Sequence, residues 1–172
     1  SNNKKKITHN DNKTPYCVIS FQNWKKFCLD TSNKLNIQNK KVIQYIKVNN
    51  YFKIITEDKS EYYAEKIYDS RSDKQKDDEL LQHFFGINIT TPNKTFDEKK
   101  LTLMHFTKED NIIHFIYLLP FTDKNALIES TVFSKHTLSE DWYRDKISKY
   151  LKEFKITEFE ENSIEKGIIP MF

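Results

Sequence analysis

The chain has 172 residues, which is enough for one compact domain or for parts of two. Its 28 basic and 25 acidic residues leave a net charge of +3, a near balance that argues against a nucleic-acid-binding protein. The longest apolar stretch spans about ten residues, whereas a helix that crosses a bilayer needs about 20, so no transmembrane helix is expected.

Cys17 and Cys28 are the only cysteines in the sequence. Their spacing matches no zinc-binding pattern, and a single pair does not make a disulfide framework. We therefore expect two buried free thiols in a reducing compartment, and a cytoplasmic location.

The N-terminal part begins with a polar segment and continues into a helix. Residues 1–14 include three consecutive lysines and lack apolar periodicity, so we expect a disordered tail. Over residues 20–35 apolar side chains recur at helical spacing, which predicts a helix. The members of this stripe are Phe21, Trp24, Phe27, Cys28 and Leu35.

Three short strands follow. Residues 42–48, 51–56 and 62–68 are rich in β-branched and aromatic side chains, which predicts a three-stranded antiparallel meander. Asn49 and Asn50 suit the first tight turn because asparagine tolerates positive φ. The polar loop after the meander leads into a charged connection over residues 72–79.

The C-terminal part contains five further predicted strands and one helix. The predicted strands cover residues 80–91, 101–107, 114–121, 125–133 and about 155–163. Gly86, inside the first of them, indicates either a bulge or a close backbone approach. The helix starts near a capping box formed by Thr137 and Glu140, and we assign it a packing role. Its apolar stripe consists of Tyr143, Ile147, Tyr150, Leu151 and Phe154.

Five short motifs occur in order along the chain. They are YDSRS, LLQHFFGINI, LTLMHF, HFIYLLPFTDKNALIESTVFS and EKGIIPM. Together they resemble the lycopene cyclase family, whose members make the β-ionone rings of carotenoids. The resemblance runs from about Tyr16 to the C-terminus, and its most specific element is the pair FIYLLPF and NALIEST.

The resemblance implies an α+β flavoprotein fold. In that fold a Rossmann-type FAD domain is interleaved with a substrate domain built on an antiparallel sheet. We therefore assign residues 15–76 to a remnant of the FAD-binding domain. Residues 77–172 become the antiparallel-sheet substrate domain with flanking helices.

The resemblance also implies an isomerase of carotenoid biosynthesis. An acid protonates the end of a linear polyene, a neighbouring double bond closes the ring, and reduced FAD is required without net redox change. The essential acid of the family falls by motif on Glu129. The resemblance places Asp69 and Arg71 near the flavin and Glu165 on the cofactor side, although a loop ion pair and a surface residue are the alternative interpretations.

The residues around Glu129 agree with an acid role. Alternation along a strand puts Leu127, Thr131 and Phe133 on its face, and apolar neighbours raise the pKa of a carboxyl group. The alternative is a solvated face of an antiparallel strand. We expect a polyene to contact this face, with aromatic rings stabilising the cation. The candidate substrate-binding residues are Phe115, Tyr117, Leu127, Thr131, Phe133 and His105.

The sequence departs from the family pattern at the cofactor site. It contains two glycines, Gly86 and Gly167, so the G-x-G-x-x-G turn that cradles the FAD pyrophosphate is absent. We do not expect this chain alone to bind FAD. It is therefore either a fragment of a longer protein or a degenerate relative.

Two positions that are usually acidic in the family also differ. They hold Asn88 and His105, and His105 is either a proton shuttle or a hydrogen-bonded histidine in a sheet. His83, His105 and His114 fit no metal-ligand spacing, so no metal site is predicted.

Two other functions fit the same residues. The chain would be a non-catalytic remnant that binds an apolar ligand, or the substrate domain of another FAD-dependent oxidoreductase. The leading interpretation is a cyclase-like enzyme that works in full-length form. Its substrate dissolves in membranes, so we expect peripheral contact with a bilayer.

Overall fold

The computed structural model describes residues 16–32, 34–71 and 79–171. Over these residues the protein is α+β, with two helices, one three-stranded sheet and one five-stranded sheet. The chain divides into two compact units, Ser1–Tyr68 and Asp69–Phe172, whereas the sequence placed the boundary after residue 76. The predicted tail and most of the charged connection lie outside the described residues.

The first unit contains one helix and a meander. Its elements are α1 (Phe21–Thr31), β1 (Val42–Val48), β2 (Tyr51–Thr56) and β3 (Glu61–Ala64). The strands pair antiparallel in the order β1-β2-β3, which confirms the predicted meander. Asn49 adopts a φ of 53° in the first turn, as expected for asparagine. The third strand ends at Ala64 and not at residue 68 as predicted. Ala64 is paired with Phe52, and β2 begins one residue earlier, at Tyr51, so β2 offers no partners for residues 66–68.

The helix of this unit is shorter and more exposed than its apolar stripe suggests. It ends at Thr31, before Leu35, and none of its residues is buried. The Trp24 and Phe27 rings stack on each other with centroids 5.6 Å apart. Cys28 is half-buried and Cys17 is exposed, so the prediction of two buried thiols is wrong.

The second unit is built on the five-stranded sheet. Its elements are β4 (Leu80–Thr90), β5 (Thr102–Thr107), β6 (Ile113–Pro120), β7 (Asn125–Ser134), α2 (Glu140–Glu153) and β8 (Glu160–Met171). All neighbours pair antiparallel, in the order β5-β6-β7-β4-β8. This order places β4 and β7 in the interior of the sheet.

The last strand differs from its prediction. It begins at Glu160 rather than at residue 155, because the chain first closes the end of α2. Lys155 adopts a φ of 60°, and the amide of Ile156 donates to the carbonyl of Leu151 at 2.8 Å. The strand then pairs along the whole of β4, from Glu160 opposite Thr90 to Met171 opposite Leu80.

Helix α2 covers one face of the five-stranded sheet, which we call the helix face. Ser139 caps the helix by accepting a hydrogen bond from the amide of Trp142, so the predicted cap at Thr137 is wrong by two residues. The apolar stripe is confirmed except for Phe154, which is 50% exposed. The core consists of Phe85, Ile87, Ile89, Phe96, Ile116, Ala126, Ile128, Val132, Tyr143, Ile147, Tyr150, Leu151 and Ile156. Neither α1 nor α2, the helices of the described residues, is long and apolar enough to cross a bilayer.

Candidate active site

Glu129 lies in the middle of β7, between two other strands. It is opposite Tyr117 of β6 and opposite Gly86 of β4. Its strand neighbours Ile128 and Ser130 point to the helix face, where Ile128 belongs to the core. Glu129 therefore projects from the other face of the sheet, which we call the acid face, as the alternation predicts.

The environment of Glu129 favours its neutral form. The side chain is half-buried, and this burial raises the pKa of the carboxyl group. The Thr131 hydroxyl donates to Oε1 at 2.6 Å and lowers the pKa, whereas a hydrogen bond and the charge of Glu165 raise it. The result is a pKa of about 7, so this group exchanges a proton near neutral pH.

Glu165 reaches the same place from the edge strand of the described sheet. It lies in β8 opposite Gly86, and a side-chain hydrogen bond joins it to Glu129. A Cβ atom added at Gly86 would lie 3.1 Å from Cγ of Glu165 and 3.4 Å from its Oε1. Of the two alternatives predicted for Gly86, the structure therefore shows a close approach. The irregularity in the pairing of β4 with β8 lies between Asn88 and Ile89.

Aromatic rings form a continuous cluster beside Glu129 on the acid face. Phe115 lies 5.1 Å from Tyr117, 6.0 Å from Phe133 and 5.5 Å from Phe106, measured between ring centroids. The structure thus brings together the three aromatic residues predicted to contact a polyene. Phe115 is only 2% exposed, so its ring supports the half-buried Tyr117 and Phe133.

Two further predicted substrate-binding residues are covered by their neighbours. Leu127 is 7% exposed, and Thr131 is 0% exposed. Thr131 is occupied by its hydrogen bond to Glu129. In this arrangement both residues shape the surroundings of the acid.

His105 belongs to the helix face, away from Glu129. It is opposite Ile116 in the ladder, and its ring packs 5.2 Å from Tyr150 and 5.8 Å from Phe154. The prediction that His105 lies with the residues of the acid face is therefore wrong, because the register of β5 turns its side chain to the helix face. Asn88, at the other usually acidic position, lies on the acid face and donates to Oγ of Ser163 at 3.1 Å.

Asp69 and Arg71 form the predicted loop ion pair. The guanidinium Nε of Arg71 donates to Oδ1 of Asp69 at 2.8 Å, and Nη2 donates to Oδ2 at 2.5 Å. This pairing lowers the pKa of Asp69 to about 2. Their role near a flavin stays a prediction.

Two buried histidines on the helix face were not predicted as structural residues. His83 is hydrogen-bonded to the Tyr143 hydroxyl and to Oγ of Ser134, and His114 to the hydroxyls of Thr107 and Ser130. Burial lowers the pKa of His114 to about 4, so it is neutral at physiological pH. The only feature of the sequence that could have indicated their burial is the alternation of histidine with apolar residues along the strands.

The residues of this chain do not fit the pyrophosphate of FAD, on which the family generally depends. Gly86 and Gly167, the only glycines in the sequence, lie inside strands β4 and β8. Neither has a positive φ, and neither precedes a helix N-terminus.

Two shallow cavities in the second unit lie elsewhere. They have volumes of about 250 Å³ and 180 Å³ and are formed near the end of α2 and the start of β8. Ile156 and Thr157 line both of them, and Glu129 lines neither.

Comparison with known proteins identifies the family. A family profile described as lycopene cyclase protein matches residues 3–172. No significant match was found among curated proteins. The crystal structure of tetracycline destructase Tet(51) is 12% identical with a TM-score of 0.38, over 77% of this chain and 42% of that chain, a likeness too low to carry an argument. Because the profile spans nearly the whole sequence, the chain belongs to the lycopene cyclase family.

Proposed function

We propose that Glu129 is the acid that starts ring closure at the end of a linear carotenoid. Membership of the family supports a lycopene cyclase-like function, and one observation supports this residue. Glu129 is half-buried at the centre of the acid face, with a pKa raised to about 7. An acid for a weakly basic alkene must be protonated at working pH, and the raised pKa keeps a large share of Glu129 protonated near neutral pH.

The proposed reaction is a redox-neutral isomerisation. The carboxyl O–H bond of Glu129 breaks, and the electron pair of the terminal double bond forms a new C–H bond with that proton. The carbocation is attacked by a neighbouring double bond, which closes the ring. Loss of one ring proton then restores neutrality, so the product has the same composition as the substrate.

The aromatic cluster would stabilise the intermediate cation. Tyr117 lies directly opposite Glu129, and Phe133 lies on the same face two positions beyond Thr131. The negative face of an aromatic ring attracts a cation by about 0.5–2 kcal/mol, depending on solvent exposure. These rings therefore favour the charged intermediate over the neutral polyene.

We further propose that the acid face contacts a bilayer, because the substrate dissolves there. Phe106 and Ile113 project from this face and are 57% and 55% exposed. Large apolar side chains in this position favour interfacial binding.

Expression in cells that accumulate lycopene tests the acid. The natural full-length protein should form cyclic carotenoids, and Glu129→Gln should reduce their yield by about 100-fold or more, the usual contribution of general acid catalysis. Pigments are separated by chromatography, and protein amount is measured by immunoblot.

Glu160→Gln is the matched control, because Glu160 lies in β8 at the far end of the ladder, opposite Thr90. This variant should keep the wild-type pigment profile. Undiminished cyclic product in the Glu129→Gln variant would show that another group protonates the polyene.

A second candidate function is binding of an apolar ligand without turnover. It is favoured by the exposed apolar residues of the acid face together with the lack of a glycine turn for a flavin. In that case the wild-type protein should retain a bound polyene, detected by its visible absorbance after purification. The lycopene-accumulating cells would then contain no cyclic product.

A further inference from the structure

Glu129 and Glu165 reach each other across one glycine of the intervening strand. Both residues are in register with Gly86, Glu129 from β7 and Glu165 from β8. A Cβ atom at Gly86 would lie 3.1 Å from Cγ of Glu165, tighter than an ordinary contact, so a side chain there would push against the Glu165 side chain. The absence of a side chain at Gly86 therefore leaves room for the hydrogen bond between the two carboxyl groups.

We infer that Glu129 and Glu165 form a carboxyl pair that shares one proton, with Glu165 as the positioning partner of the acid. Two carboxylates in hydrogen-bond contact repel each other, so one proton between them is the favoured state at neutral pH. The proton is donated by one carboxyl and accepted by the other. The catalytic part of this inference rests on the proposed function of Glu129.

The pair would serve both proton steps of the proposed isomerisation. When Glu129 gives its proton to the terminal double bond, two adjacent carboxylates remain. Their mutual repulsion makes the pair a stronger base than an isolated carboxylate. The pair can then take the proton that leaves the ring, which returns it to its starting state without any oxidant or reductant.

Glu165 also connects the half-buried acid to water. Its side chain is exposed on the edge strand β8, whereas Glu129 lies in the interior strand β7. A proton from solvent can therefore reach Glu129 through Glu165 while the hydrocarbon covers Glu129 itself.

Among the described residues of the neighbouring strands, no other charged side chain lies next to the pair on the acid face. Among the described residues nearest to the pair on the acid face, β6 contributes the phenol of Tyr117, and β4 contributes Asn88. The remaining neighbours are Phe84, Gly86, Phe115, Leu119, Leu127, Thr131, Ser163 and Gly167. The protonation state of Glu129 is thus governed by its burial, by Thr131 and by Glu165.

The test is a pH titration of the protonated-carboxyl infrared band, which does not depend on turnover. Wild-type protein should keep one such band near neutral pH, and Glu129→Gln should abolish it. Glu165→Gln should shift the midpoint of the band downward by about 1 pH unit or more, because it removes a negative charge and adds an amide donor. Glu160→Gln, on the same strand, should leave the midpoint unchanged.

Cyclisation by the natural protein gives the second measurement. Glu165→Gln should reduce ring formation about tenfold near neutral pH, and a lower pH should restore it, which loss of a merely structural contact would not do. An unchanged midpoint in Glu165→Gln would overturn the pair, even if Glu129→Gln abolishes ring formation. A shifted midpoint in a protein that forms no cyclic carotenoid would keep the pair and refute the proposed function.

Discussion

Single residues determine whether the acid face can donate a proton. Burial raises the pKa of Glu129, the Thr131 hydroxyl lowers it, and Glu165 raises it again. A carboxyl group with an ordinary pKa would be almost wholly ionised at neutral pH and useless as a donor. The three influences together place its titration near neutrality.

The raised pKa of Glu129 predicts a pH-dependent stability. The folded state binds the proton more tightly than the unfolded chain, so the favourable contribution is complete below about pH 4.5 and is lost as pH rises through about 7. Relative to Glu129→Gln, the free energy of unfolding of wild-type protein should fall by about 3 kcal/mol at most over this interval. Urea denaturation at a series of pH values measures it.

The control for this prediction is Glu160→Gln, which should keep the pH dependence of the wild type. Stability curves that run parallel for wild type and Glu129→Gln would mean that Glu129 has the same pKa in the folded and unfolded states.

Sequence reasoning singled out both Glu129 and Glu165 but assigned Glu165 to the cofactor side and did not place it beside Glu129. The period of two along NALIEST, together with the motif, was enough to place Glu129 among apolar neighbours. Glu165 lies 36 positions later, and no local pattern indicates that its strand pairs with β4 in the register that aligns it with Gly86. The assignment of His105 failed for a related reason, since an irregularity between Thr102 and His105 turns that side chain toward α2.

At the level of elements, strand β4, between β7 and β8, limits how closely side chains of those two neighbours can approach each other. Gly86 is buried, and the Cβ atom that it lacks would lie 3.1 Å from Cδ1 of Leu127 and 3.1 Å from Cγ of Glu165. Gly167 in β8 is similarly close to Phe84, whose Cζ would be 2.7 Å from an added Cβ. Glycine is used at both positions for space, because neither has a positive φ.

Gly86→Val should therefore destabilise the second unit although valine favours strands. The added methyl groups must displace Leu127 and Glu165, and overpacking of this kind costs about 1–3 kcal/mol. Gln82→Val is the matched control. Gln82 lies on the same strand and the same face as Gly86, but it is half-buried and lies near the end of the ladder. Thermal unfolding should show a lower midpoint for Gly86→Val alone, and equal midpoints for both variants would contradict the close approach.

On the scale of the whole molecule, the second unit divides its sheet between two tasks. The helix face holds the core and the two buried histidines, and the acid face holds the carboxyl pair and the aromatic cluster. The five strands and the helix that covers the sheet were predicted from periodicity, whereas the order of the strands was not predicted. The start of β8 was not, because it depends on how the end of α2 is closed by Lys155 and Ile156.

The exposed apolar residues of the acid face predict binding to lipid vesicles. Replacing both Phe106 and Ile113 by serine should weaken co-sedimentation with phospholipid vesicles by about tenfold or more, since each buried large apolar side chain contributes roughly 1.5–3 kcal/mol. The same replacement at Ile168 is the control, because that side chain is 55% exposed on the opposite face. Equal losses for both variants would indicate non-specific adhesion.

The opposite orientations of neighbouring side chains in β7 have a consequence for how this protein could change over time. Ile128 packs in the core beneath α2 and Ser130 is hydrogen-bonded to His114, while Glu129 between them faces away. Substitutions that repack the helix face can therefore accumulate without moving Glu129, and residues of the acid face can be exchanged while the scaffold beneath them stays intact.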